Sequence, residues 1–128
     1  MKENPKEKRK HTRISISLDA ELQINDKTYR GKTKDISFSG IFMFCPDPAN
    51  IPADKTGFIK LVLKPGPNPK IITFHCKVVR TSESGAGVKL IRVDMEGYQQ
   101  FKNLMVYNSP NPDVLLEELN KHPGLEIA

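Results

Sequence analysis

RISISLDAELQI, residues 13–24, places an apolar residue at every second position. Ile14, Ile16, Leu18, Ala20, Leu22 and Ile24 therefore share one face, which is the period of a half-buried strand and not of a helix. Asn25-Asp26-Lys27 then supplies a hairpin turn, and TYRGKTKDIS (28–37) returns as a second, less apolar strand. GIFMFC (40–45) is a third strand, stopped by the proline-rich PDPANIP, and GFIKLVL (57–63) is a fourth, stopped by KPGPNP. IITFHCKVVR (71–80) and GVKLIRV (87–93) are the fifth and sixth, joined by TSESGA. Six strands in meander order followed by a helix define a mainly β fold, a six-stranded antiparallel barrel whose closure removes free edges. Within the third strand, Phe42 and Phe44 share a face with Gly40 and are expected in the core.

The period changes after residue 93. In DMEGYQQFKNLMVYN (94–108) the apolar residues Tyr98, Phe101, Leu104 and Met105 recur at intervals of three and four, and Asp94 stands where an N-cap belongs. This is an amphipathic helix laid against the barrel. A second short helix is expected over PDVLLEELN (112–120), with Asn111 as its cap, Pro112 at its first position and His122-Pro123-Gly124 ending it. Leu115, Leu116 and Leu119 give it one apolar side, suited to an open barrel end or to a partner chain. The expected organisation is a flexible basic arm over 1–8, barrel plus helix over 9–108, and a short helix with tail over 109–128. No repeat or linker divides the chain.

Composition limits what such a chain can be. With 128 residues, 38% hydrophobic and 27% charged, it fits one globular domain with a core that needs no staples. No apolar run approaches the ~18 residues of a membrane span, and no apolar run follows the charged N-terminus as a secretory signal requires. The cytoplasm is the expected compartment. Cys45 and Cys76 each sit in an apolar segment and are expected to be small core residues. His75 and Cys76, adjacent on a strand, should point to opposite faces. The histidines at 11, 75 and 122 show no metal-ligand spacing, so no metal and no cofactor is expected. Nor does any nucleophile–base pair or phosphate-cradling glycine loop support an enzyme.

Charge is laid out unevenly: residues 1–13 carry a local balance of +4, residues 14–93 carry +5, and residues 94–128 carry −4. A basic front points to an anionic partner. Within it KRKHTR (8–13) sets Arg9 and Arg13 four residues apart, a spacing that shares a face in a helix and in a strand. Two planar guanidinium forks can converge there on a phosphate or a guanine edge. The second candidate is DISFSG (35–40), a D-x-S-x-x-G pattern. On an extended segment Asp35 and Ser37 project to one side, and Gly40 allows either a left-handed turn or a close backbone approach. Two readings remain open for it: a ligand site, or a polar turn that hydrogen-bonds itself.

R-x-x-x-R just before the first strand, with D-x-S-x-x-G at the end of the second, resembles the PilZ domain family. VVRTSESGAGVKLI (78–91) also looks like that family's fifth and sixth strands, and the following helix is similar too. The resemblance covers about residues 8–107. The one departure is Leu90, where an aromatic residue is usual. The resemblance implies a bacterial receptor for the second messenger cyclic di-GMP. Arg9 and Arg13 would clamp phosphates and guanine edges, Asp35 and Ser37 would hydrogen-bond guanine and phosphate groups, and Gly40 would give backbone access. Lys8 would stand at the position associated with holding one ligand or a stacked pair. The arm would order over the ligand and signal to a separate protein effector, the receptor being a monomer or a dimer and not inserted in a membrane. Two alternatives stand beside this: a small basic barrel binding single-stranded nucleic acid, and a degenerate PilZ protein-interaction module.

Overall fold

The alternating run forms two strands, not one: β1 (Ile14–Ser15) and β2 (Asp19–Ile24). Both pair with the same neighbour, β3 (Lys27–Ile36), which bends between them. Thr33 explains the break. Its buried hydroxyl accepts from the Leu18 amide at 2.9 Å and donates to the Ile16 carbonyl, and its own amide donates to the Leu18 carbonyl at 2.9 Å. One polar side chain thus satisfies the backbone that the ladder gives up across residues 16–18. The alternation survives, since Ile14, Ala20, Leu22 and Ile24 are all buried. Between β2 and β3 the turn holds two residues, Asn25 and Asp26, both at positive φ, and Lys27 already pairs with Ile24.

The computed structural model describes residues 11–64, 66–122 and 124–128. The remaining elements are β4 (Gly40–Phe44), β5 (Thr56–Lys64), β6 (Lys70–Thr81), β7 (Gly85–Val93), α1 (Met95–Asn108), α2 (Pro112–Lys121) and β8 (Glu126–Ile127). A single-turn 3₁₀ helix, Pro48–Asn50, lies between β4 and β5.

Six of these strands close a ring. β2 pairs with β3, β3 with β4, β4 with β7, β7 with β6, β6 with β5, and β5 again with β2, every pair antiparallel. The barrel is the one expected, but its strands are not in meander order. β4 leaves its sequence neighbour β5 and pairs with β7 instead. The segment that sends it across, 45–55, is rich in proline and buries Ile51 beneath it at that end. Proline lacks the amide that a continued hairpin would need.

The other end is closed by α1. Asp94 caps it, its carboxylate accepting from the Gly97 amide at 2.6 Å. Phe101 and Met105 are its most buried residues, and the Phe101 ring meets Phe74 of β6 at 4.9 Å and Phe38 of the β3–β4 turn at 5.4 Å. α2 packs on its own chain through Leu115 and Leu119, while Leu116 faces outward, so its apolar side is narrower than its leucines suggest. Pro112 opens α2 as expected. Asn111 occupies the cap position, but its side chain makes no cap bond; Ser109 instead accepts from the Asn111 amide. β8 was not foreseen. It pairs in parallel with the end of β7, Arg92 opposite Glu126 and Val93 opposite Ile127.

Candidate ligand-binding site

The β3–β4 turn is built from SFSG, residues 37–40. The Ser37 amide donates to the Gly40 carbonyl at 2.8 Å, and the Ser37 hydroxyl accepts from the Ser39 and Gly40 amides at 3.2 and 3.1 Å. Its own proton has two acceptors inside the same turn, the Gly40 carbonyl at 3.2 Å and the Ser39 hydroxyl at 3.3 Å. A hydroxyl has one proton and two lone pairs, so in this geometry Ser37 is fully used inside the turn. Half of the motif therefore follows the self-bonded reading. Phe38 anchors the turn from below, fully buried between His11 and the rings of α1.

Asp35 is different. Paired with Ser15 of β1 on one side and Phe42 of β4 on the other, its half-exposed side chain makes no hydrogen bond with any described residue. Gly40 has extended backbone, not the left-handed form. A Cβ there would lie 2.8 Å from the Val88 carbonyl oxygen, so glycine is required by the approach of β7. Arg13, exposed just before β1, is brought to the same place because β1 lies along the end of β3.

Arg13, Asp35, Ser37 and Gly40 line a single open cleft of about 330 Å³ on the outside of the barrel. Arg9 and Lys8 lie outside the described residues. Two cations that sequence reasoning missed complete the far wall, Arg80 of β6 and Lys89 of β7. Lys89 stands opposite Gly40, and Arg80 stands opposite Gly87, which in turn faces Phe42. Only the crossed strand order puts them there; in a meander β7 would not touch β4. Their sequence signal, outward positions on the strands VVR and GVKL, has meaning only after that pairing is known.

Phe44 corrects the core expectation, and Phe42 meets it in part, being buried but outside the main core cluster. Inward positions of β4 belong to Ile41 and Met43, whereas the Phe42 ring lies outside the main core and meets Phe44, itself 42% exposed, at 5.9 Å. Phe42 is covered instead by cations: Arg80 is 5.3 Å and Lys34 5.8 Å from its centroid. The cleft is therefore cationic, with one carboxylate and one aromatic surface.

A second group of contacts ties this region to the C-terminal segment. The Thr12 amide and hydroxyl both donate to the Glu118 carboxylate of α2, at 2.7 and 2.6 Å. His11, buried beside Phe38, bonds the His122 carbonyl through Nε2, and its Nδ1 is buried without a partner among the described residues. Residues between the two motif arginines thus grip α2. Among the described residues no His, Cys, Asp or Glu cluster could hold a metal, and no helix is long and apolar enough to cross a membrane.

Comparison with known proteins agrees with the fold. No curated protein matches the sequence. The solved structure of the Bacillus subtilis inhibitor of motility MotI/DgrA superposes with a TM-score of 0.64 at 16% identity, covering 89% of this chain and 53% of that one. The chain thus spans about half the length of that protein. The PilZ domain of CeSA from a cellulose-synthesizing bacterium gives 0.52 at 18% identity, covering 76% of this chain and 94% of that one. The sequence itself matches the family described as PilZ domain over residues 7–106. With the match running from the basic arm through most of α1, this chain belongs to the PilZ domain family.

Proposed function

We propose that the chain is a non-catalytic receptor that binds cyclic di-GMP on the outside of its barrel and signals through its N-terminal arm to a separate protein. The PilZ family is one of cyclic di-GMP receptors and adaptor domains. The observation that carries the reading to this chain is the convergence of Arg13, Asp35 and Gly40 on one cleft. Guanine presents N–H donors at N1 and N2, for which a carboxylate is the complementary acceptor; its O6/N7 edge and the phosphates suit guanidinium forks. A site for a bare anion would have no use for Asp35.

Arg9 would supply the second fork. Ser37, spent inside its turn, would act by fixing the backbone that presents Asp35 and Gly40. Lys8 remains the position assigned to the choice between one ligand and a stacked pair, with a cation there leaning toward the pair. The output would run through Thr12. Drawing Arg9 and Arg13 onto an anion pulls on the residue between them that holds Glu118, so ligand and α2 share one piece of chain.

Exposed Phe44, beside the cations Lys34 and Arg80 that cover Phe42, favours a second reading, a barrel that stacks single-stranded nucleic acid. Calorimetry separates the two. Cyclic di-GMP should bind saturably while GTP and a single-stranded oligonucleotide do not, and Arg13→Ala and Asp35→Ala should each weaken binding at least tenfold, the scale of losing a charge-assisted hydrogen bond. Tighter binding of the oligonucleotide, unchanged by Asp35→Ala, would favour the nucleic-acid reading.

A further inference from the structure

We infer that Arg80 is a further ligand-binding residue of the cleft, a planar platform on which a ligand purine stacks, and that Gly87 is the residue that positions it. This rests on the nucleotide reading above and adds a group that neither sequence motif contains.

The geometry starts from one row across the outer face of the barrel. Asp35 stands opposite Phe42, Phe42 opposite Gly87, and Gly87 opposite Arg80. Side chains on β4 and β6 are separated by two strand spacings, about 10 Å, and ordinarily the residue on the strand between them keeps them apart. Here that residue has no side chain. The Arg80 guanidinium leans over the vacancy and lies 5.3 Å from the Phe42 centroid. A Cβ on residue 87 would sit 3.3 Å from both Cγ and Nε of Arg80, closer than ordinary van der Waals contact. Glycine in a strand interior costs stability, and it recurs where something must approach the backbone closely. The group approaching here is a guanidinium.

Arg80 is exposed although its guanidinium lies over the Phe42 ring, so the residue covers the ring and also lines the cleft with Asp35 and Gly40. A guanidinium is flat and weakly hydrated and stacks on π systems, which an ammonium does not. Holding it against Phe42 before the ligand arrives removes part of the entropy cost of ordering a long side chain on binding. Asp35 lies in the same row, so one nucleotide can be stacked by the plane and hydrogen-bonded by the carboxylate.

The test uses the full chain, titrated with cyclic di-GMP at two salt concentrations. Arg80→Lys keeps the charge and loses the plane; affinity should fall about tenfold, the usual scale of one stacked base, with salt dependence nearly unchanged. Gly87→Val keeps Arg80 but fills the vacancy, and affinity should fall by a similar factor while Arg13 and Asp35 stay in place. Thermal melting of each variant checks that it is folded. Should Gly87→Val unfold the protein, Gly87→Ala, which adds only the Cβ that would sit 3.3 Å from Arg80, is read in its place. Wild-type affinity in Arg80→Lys overturns the stacking role. Wild-type affinity in a folded Gly87→Val, or in Gly87→Ala where that variant is read, overturns the positioning role. If the unaltered chain binds no cyclic di-GMP, the function reading fails and this inference falls with it; if it binds and Arg80→Lys binds equally, only the inference fails.

Discussion

Cys76 shows at the scale of one residue how burial becomes a pH dependence. It has no solvent exposure, and loss of hydration pushes its thiol from 9.0 up to about 12. Cys45 moves the same way, through burial first and the neighbouring Asp47 second. Between pH 9 and 12 the unfolded chain loses the Cys76 proton while the folded chain keeps it. The folded form binds more protons over that window, so stability is full below pH 9 and falls as pH rises. Urea unfolding should show wild type losing up to about 1.4 kcal/mol per pH unit above pH 9 relative to Cys76→Ala. Equal slopes for the two proteins would contradict the assignment. The alternation of His75 and Cys76 was legible: Cys76 is in the core and His75 lies outside, its ring 5.4 Å from Phe58. The placement of Phe42 and Phe44 was not, because an apolar residue on an outer face looks the same in sequence as one on the inner face until cations are seen to cover it.

At the scale of elements, α2 is held by two kinds of contact. Leu115 and Leu119 bury apolar surface, and Glu118 accepts two bonds from Thr12. Removing the carboxylate orphans both donors, at about 1–3 kcal/mol. Glu118→Ala should therefore speed hydrogen exchange of α2 amides by about tenfold or more and leave β5 and β6 protected, since local opening follows local contacts. Unchanged exchange would mean that the leucines alone dock the helix. Strands β2 to β7 and both helices were visible in hydrophobic period and in turn residues. The split of the first strand was not, because it depends on one buried threonine, Thr33, placed by a neighbouring strand. Nor was β8, whose two residues have no period to read and exist as a strand only beside β7.

The whole molecule adds what no local pattern carries, the order of strands around the ring. The two motifs could be seen to belong together once Arg13 and Asp35 were one hairpin apart, and β1 does lie against the end of β3. The far wall of the cleft, Arg80 and Lys89, depends on the pairing of β4 with β7, which joins residues 41 to 49 positions apart in sequence. Pairing of β2 with β5 spans a similar distance. These two seams have a kinetic consequence. The hairpins β2–β3, β5–β6 and β6–β7 can form early from local contacts, but the ring cannot close until both long seams meet, and chain entropy opposes that encounter throughout. Stopped-flow refolding should accordingly proceed in milliseconds to seconds rather than microseconds. Substitutions of Ile59 or Val88, beside the seams, should act mainly on unfolding if closure follows the rate-limiting step, and mainly on folding if closure is that step.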